Sequence, residues 1–368
     1  MEMDRIIELR AITNLLYEKK QIKGLMFGDM GVSLICHSLF QITGDACLEK
    51  QCIEIANQYL PSEIDDTDFA VYFATSFACG FTGIYSALSI LAEEGVGDEN
   101  LRLLDLDVFE EYIYEHILAS TIHSDWSLLH GVTGQLYYLT CCRELTNAMK
   151  ISLLSHVSSV FGCTDAIEPF RKEKGDLNVS WTHGVTGFLM TIWRCYKSLV
   201  TGLDQTRTVL LNLLSRLQDY IAVRLNTADF DGLDVMTLKK DLMVCACLTN
   251  LAFESGLSLQ RMGEILAYAE ILLKTFANNP LYTMNLGQDS GLSGVIECIR
   301  TLYKYANTKN FSVWFDYYHD ILCQRFLDLD SEKYISNGTL LNGSCGVLLT
   351  ILHPKIEEDP AWRKLFLY

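Results

Sequence analysis

A histidine stands directly before the turn Gly184-Val185-Thr186-Gly187, and a second, His130, stands in the same place before Gly131-Val132-Thr133-Gly134. Imidazole is the side chain that gains and loses a proton near neutral pH. His183 is therefore the candidate acid/base. His130 is a candidate substrate contact, paired with His183 if the two turns meet. Asp289 and Ser290 precede a third such turn, Gly291-Leu292-Ser293-Gly294. Polar residues there either cap the exposed N–H groups of a following helix or touch a bound substrate. Cys79, Cys245, Cys247, Cys298 and Cys345 lie near the same turns or on the runs that follow. Their positions reproduce no metal-ligand spacing, and buried cysteine ordinarily serves as a small apolar residue. The chain is accordingly expected to carry no metal and no other cofactor.

The elements that position these residues form a repeat. Gly-x-x-Gly starts at Gly28, Gly80, Gly131, Gly184, Gly291 and Gly343, in steps of 52, 51, 53, 107 and 52 residues. The step of 107 spans two repeats, so one copy has lost its glycines. That copy falls at Asp241–Cys247, with Val244 and Cys247 in the glycine places, and seven copies then cover the chain. After each glycine pair comes a run apolar on most sides. Between pairs lie amphipathic helices: residues 3–20, 48–60, 106–118, 207–225, 259–276 and 311–327. Helices apolar all round belong inside and helices wet on one face outside. A period near 52 leaves room for two helices of four or more turns. Glycine at each inner-helix start permits unusual backbone angles and close approach. Closing seven hairpins into a ring places the inner N-termini around one mouth. Residues 169–178 read as a solvated surface loop just before the His183 turn, and the tail from His353 to Tyr368 as packing over the ring edge.

Composition excludes several classes. The 368 residues are 49% apolar, which supplies a large core, and the net charge of −17 opposes binding to nucleic acid or an anionic membrane. No apolar run approaches the roughly 18 residues of a membrane span. The start, Met1-Glu2-Met3-Asp4-Arg5, has no signal-like apolar core, and the thirteen scattered cysteines lack a CxxC pair. The expected location is cytoplasmic, with reduced thiols.

The sevenfold Gly-x-x-Gly hairpins, with His-Gly-x-x-Gly in the fourth copy, resemble the lanthionine synthetase C (LanC)-like cyclases over essentially the whole chain. The resemblance implies an all-α fold: an α/α toroid of seven helical hairpins, fourteen helices in two layers, as one domain over 1–368. It also implies peptide modification, in which Cys thiols of a precursor peptide add to dehydroalanine or dehydrobutyrine to form thioethers. The partners implied are a precursor or modified peptide and partner modifying enzymes. In the family's zinc-dependent members one ligand, a Cys, stands two residues before the first glycine of copy five. A Cys-His pair stands directly before that of copy six. Those places hold Leu242, Asp289 and Ser290 here, so the resemblance implies a member without the zinc ligands. An aspartate the family often places four residues before the third glycine pair is Ser127, with Asp125 out of register. His183 is retained, in the position proposed to handle a proton. The even spacing leaves no room for the inserted module some members carry. Two alternatives stand beside a zinc-independent cyclase. One is a noncatalytic peptide-binding or scaffold protein. The lower-ranked other is a carbohydrate-active toroid, which would need two carboxylates across the cavity, and only Asp29 and Asp289 qualify.

Overall fold

The computed structural model describes residues 3–19, 24–59, 75–96, 107–143, 145–162, 167–171, 176–199, 204–227, 234–255, 261–279, 285–289, 291–306, 308–329 and 338–366. Among these the chain is helical, with one isolated antiparallel bridge between Arg171 and Leu177. Seven helices alternate with seven others. The first set is α1 (Met3–Glu18), α3 (Ala46–Asn57), α5 (Asp107–Leu118), α7 (Asn147–Gly162), α9 (Asp204–Thr227), α11 (Met262–Asn278) and α13 (Lys309–Leu327). The second set is α2 (Met30–Thr43), α4 (Phe81–Glu93), α6 (Val132–Tyr137), α8 (Val185–Lys197), α10 (Val235–Ser255), α12 (Leu292–Ala306) and α14 (Ser344–Leu352). A π-helical turn, Tyr138–Cys142, continues α6.

Burial separates the two sets as their composition demands. In α8 every residue from Val185 to Trp193 is buried, and in α12 every residue from Leu292 to Leu302. In α13 only one stripe is buried, Phe311, Phe315, Tyr318, His319, Leu322, Cys323 and Phe326, at helical spacing. Each such Leu or Phe removed from water contributes about 1.5–3 kcal/mol. The inner helices touch in the order α2, α4, α6, α8, α10, α12, α14, and α14 touches α2. The ring therefore closes, and the architecture is the α/α toroid.

The glycines serve close approach rather than unusual backbone angles. Gly80, Gly131, Gly184 and Gly343 cap their helices in extended conformation, with φ between −103° and −124°, which any residue adopts. A Cβ on the second glycine, however, would strike a loop carbonyl: Phe77 at Gly83, Leu128 at Gly134, Trp181 at Gly187, Gln288 at Gly294 and Leu340 at Gly346. The residue before it ties the same loop down. Thr133 Oγ1 donates to Trp126 O at 2.6 Å, Thr186 Oγ1 to Val179 O at 2.7 Å and Ser293 Oγ to Leu286 O at 2.6 Å. The fifth copy has no such turn. Helix α10 starts nine residues before Val244, so no loop presses on its first-glycine and second-glycine places. Its buried Asp241 carboxylate accepts instead from Tyr220 Oη, Tyr268 Oη and Arg224 Nε at 2.6, 2.6 and 3.0 Å.

The tail enters the ring instead of lying over its edge. Residues Ala361–Phe366 form a 3-10 turn with Trp362, Arg363, Leu365 and Phe366 buried. The Lys364 carbonyl accepts from Tyr137 Oη of α6 at 2.7 Å and from Arg194 Nη1 of α8 at 3.3 Å. Arg363 Nε donates to the buried Glu297 of α12 at 2.7 Å, and Phe366 reaches Trp181, ring centroids 5.5 Å apart. A segment touching that many inner helices fills the lumen from the end opposite the glycine turns.

Candidate functional site

The glycine turns stand side by side at one end of the toroid, joined by backbone hydrogen bonds. Met26 N donates to Ala78 O at 2.8 Å, Ala78 N to Leu129 O at 2.9 Å, and Leu128 N to Thr182 O at 2.9 Å. On the other side Gln288 N donates to Leu341 O at 2.7 Å and Leu340 N to Met26 O at 3.0 Å. Each link joins residues two or three places before a first glycine. The series breaks at copy five, where there is no loop. There the ammonium of Lys239 on α10 donates to the carbonyls of both Gln288 and Asp289. Those two carbonyls face the position a fifth loop would occupy. Lys239 is 3% exposed. Burial pulls its pKa down to about 8, against the upward pull of the Asp289 carboxylate.

A cavity of about 230 Å³ opens at this break. Asn178, Ser180 and His183 of copy four line one side, Met236, Lys239 and Met243 of α10 another, and Asp289 of copy six a third. His183 is exposed; its backbone is fixed by His183 N donating to Ser180 Oγ at 3.2 Å and Asn178 Nδ2 donating to His183 O at 3.0 Å. Asn178, the end of the expected loop, thus belongs to the cavity wall, while residues 172–175 lie outside the described residues. His130 stacks on His183, ring centroids 5.7 Å apart at 25°. It contacts Ser76 Oγ through Nδ1 at 3.1 Å. Ser76 already donates to Leu129 O at 2.9 Å, so Nδ1 carries the proton. Burial and then the neighbouring His183 lower the His130 pKa, with Asp125 opposing. His130 therefore stays neutral, with Nε2 as an acceptor.

The candidates from sequence thus divide. His183 and Asp289 share the cavity, His130 backs His183 without lining it, and Ser290 lies outside the described residues. Asp29 hydrogen-bonds the Tyr59 side chain and lines no part of this cavity. Asp125 caps its own turn, accepting from Ser127 N at 2.8 Å. Lys239 is the charged cavity residue that sequence reasoning missed. Its signal was a charged triplet, Lys239-Lys240-Asp241, set between the apolar Leu238 and Leu242-Met243 on an inner helix.

The residues at the family's zinc place do not fit the ion. Leu242 is a fully buried hydrocarbon, and the Lys239 ammonium already lies against the backbone of Gln288 and Asp289. A divalent cation beside a fixed positive charge, with one thiolate position replaced by leucine, has neither its donors nor its electrostatics. Among the described residues no group of three His, Cys, Asp or Glu side chains could hold a metal ion.

A closed ring of seven inner helices with glycine turns at one mouth defines an α/α toroid. The model of the lanthionine synthetase C-like protein family matches residues 22–222, and the chain belongs to that family. Among solved structures it is similar to nisin cyclase, with a TM-score of 0.69 and 16% identity over 100% of this chain and 98% of that one. No curated protein matches it by sequence. No helix among the described residues is long and apolar enough to cross a membrane.

Proposed function

We propose that this protein acts in peptide modification, receiving a thiol-bearing, dehydrated peptide at the mouth cavity and catalysing thioether closure without a metal. Family membership and the likeness to nisin cyclase support the peptide as substrate class. The observation that carries the chemistry is an exposed imidazole, His183, sharing one cavity with a fixed ammonium, Lys239. In the addition, the peptide thiol gives its proton to His183. Sulfur then bonds to the β-carbon of the dehydroamino acid, and the electron pair of the double bond moves onto the carbonyl as an enolate. A proton from the imidazolium then completes the α-carbon, so atoms and charge balance. Lys239 supplies positive potential where the thiolate and enolate carry negative charge. Thiolate supply does not demand a metal. A thiol with pKa near 8.5 is about 3% ionised at pH 7, a cost of about 2 kcal/mol.

Leu242 at a ligand place favours a second reading, in which the cavity binds a modified peptide and presents it to partner enzymes. One experiment separates the two. A dehydrated precursor peptide is incubated with the protein, and its remaining thiols are alkylated with N-ethylmaleimide and counted by mass. The cyclase reading expects thiols to disappear, with His183→Ala slowing the loss about 100-fold or more. Persistent thiols with undiminished peptide binding in both proteins would replace it with the scaffold reading.

A further inference from the structure

The end of the toroid opposite the mouth holds a larger cavity, about 870 Å³, where α6, α8, α10 and α12 finish beside the entering tail. Its walls carry six cationic side chains, Arg143, Lys150, Arg194, Lys197, Lys304 and Lys364, against two carboxylates, Glu254 and Asp359. In a chain with a net charge of −17 this is a local reversal of sign. Arg143 is offset by Glu110 and Lys364 by Glu93 from just outside the wall. The balance remains positive. The Oδ1 atom of Asn250, a residue 3% exposed on the same wall, has no hydrogen-bond partner among the described residues.

Cys141 opens onto this cavity, half-buried. It sits on the π-turn that continues α6, and such turns displace side chains from the regular helical face, often at functional positions. A second thiol lies close by: Cys195 of α8, fully buried, shares the Thr140 hydroxyl with Cys141. Thr140 Oγ1 contacts both sulfurs, at 2.6 Å for Cys195 and 3.7 Å for Cys141. Thr140 already donates to Leu136 O, so the Cys195 proton points to Thr140 Oγ1, and the Cys141 pKa is drawn down by the neighbouring Cys195 and, against burial, by Arg194 and Lys150. A half-exposed thiol in positive surroundings is the setting in which cysteine attacks disulfides.

We propose that the basal cavity is a second ligand site, taking small disulfides that carry negative charge, with Cys141 as nucleophile and Cys195 as resolving thiol. The Cys141 thiolate attacks one sulfur of R–S–S–R, forms Cys141–S–S–R and releases R–S⁻. Cys195, giving up its proton, then attacks the Cys141 sulfur and releases the second R–S⁻. Two protein thiols become one disulfide, and the external disulfide becomes two thiols. The site is independent of the mouth chemistry and stands or falls without it.

The probe is the dianionic disulfide 5,5′-dithiobis(2-nitrobenzoate), with neutral 2,2′-dithiodipyridine as reference. Each rate on the full-length protein is divided by that reagent's rate with free cysteine. Modified cysteines are identified by peptide mass. The expected result is a fast phase that maps to Cys141, releases two aromatic thiols per protein, and favours the anionic reagent about tenfold after normalisation. Cys195→Ser should release one and leave a stable Cys141 adduct. Lys150→Gln should reduce the anionic preference. A fast phase that survives Cys141→Ser, maps first to the exposed Cys47, or shows no anionic preference would overturn the proposal.

Discussion

Replacing Lys239 with methionine tests the rim directly, because it keeps the length of the side chain and removes only the ammonium. The variant leaves the carbonyls of Gln288 and Asp289 without their donor, and each buried acceptor so exposed costs about 1–3 kcal/mol. Against that, the wild type carries the cost of a buried charge. The drop of the Lys239 pKa from 10.5 to about 8 is worth about 3 kcal/mol against the folded state wherever the lysine is protonated. The two effects nearly cancel at pH 7, so the variant should lie within about 2 kcal/mol of wild type there. The pH dependence differs. Between about 8 and 10.5 the folded chain has released the Lys239 proton while the unfolded chain keeps it. The unfolded state then binds more protons, and stability rises with pH. Urea unfolding of both proteins from pH 7 to 11 gives the difference, in which tyrosines and thiols common to both cancel. Wild type should gain about 3 kcal/mol on the variant across that window. A difference that stays flat, or that falls, would refute a buried ammonium at the rim.

The other expectations are simpler. Gly187→Ala should destabilise by about 3 kcal/mol or more, because its Cβ meets the Trp181 carbonyl, whereas Gly263→Ala on α11, where nothing lies within 4 Å, should stabilise by about 0.5–1 kcal/mol; thermal melts check both. Arg363→Met leaves Glu297, fully buried, with only Arg300 at 3.3 Å, and should lower unfolding free energy by about 3 kcal/mol while loosening the tail, read by urea midpoint and by proteolysis near Ala361. Treatment with 1,10-phenanthroline should leave thioether formation by the purified protein unchanged, and loss of activity restored by zinc would overturn the misfit argued at Leu242.

Much of the fold was legible because its constraint is steric and periodic. A loop carbonyl pressed onto the first turn of an inner helix tolerates no Cβ, so a copy with such a loop writes its position into the chain as a glycine, and Gly83, Gly134, Gly187, Gly294 and Gly346 meet that condition. The outer helices followed from their stripes, with α5, α11 and α13 close to the expected spans. His183 was legible at the mouth for the same reason, since its place beside Gly184 fixes it to a turn. The stacking of His130 on His183 was legible as a consequence of neighbouring copies. Lys239 was not. Register was counted from the expected glycine places at Val244 and Cys247, and a residue five positions upstream belongs to no turn when the turn itself is missing. The insertion of Phe366 beside Trp181 was equally hidden, because Ala361–Phe366 carries no period and its partners come from α6, α8 and α12 far along the chain.

The lost fifth turn ties these findings together. Where α10 extends upward in place of a loop, the steric reason for glycine disappears, which is why Val244 and Cys247 can stand there. The same extension removes one set of backbone donors from the rim, and the carbonyls of Gln288 and Asp289 would be left facing an apolar helix. Lys239 answers that deficit with a side chain, and in doing so it brings a positive charge to the wall of the cavity that the missing loop leaves open. The cavity, the ammonium and the misfit for a divalent ion are then one structural event. A return of Gly-x-x-Gly at 244–247 without removal of Lys239 should not restore a metal site, because the charge and Leu242 would both remain.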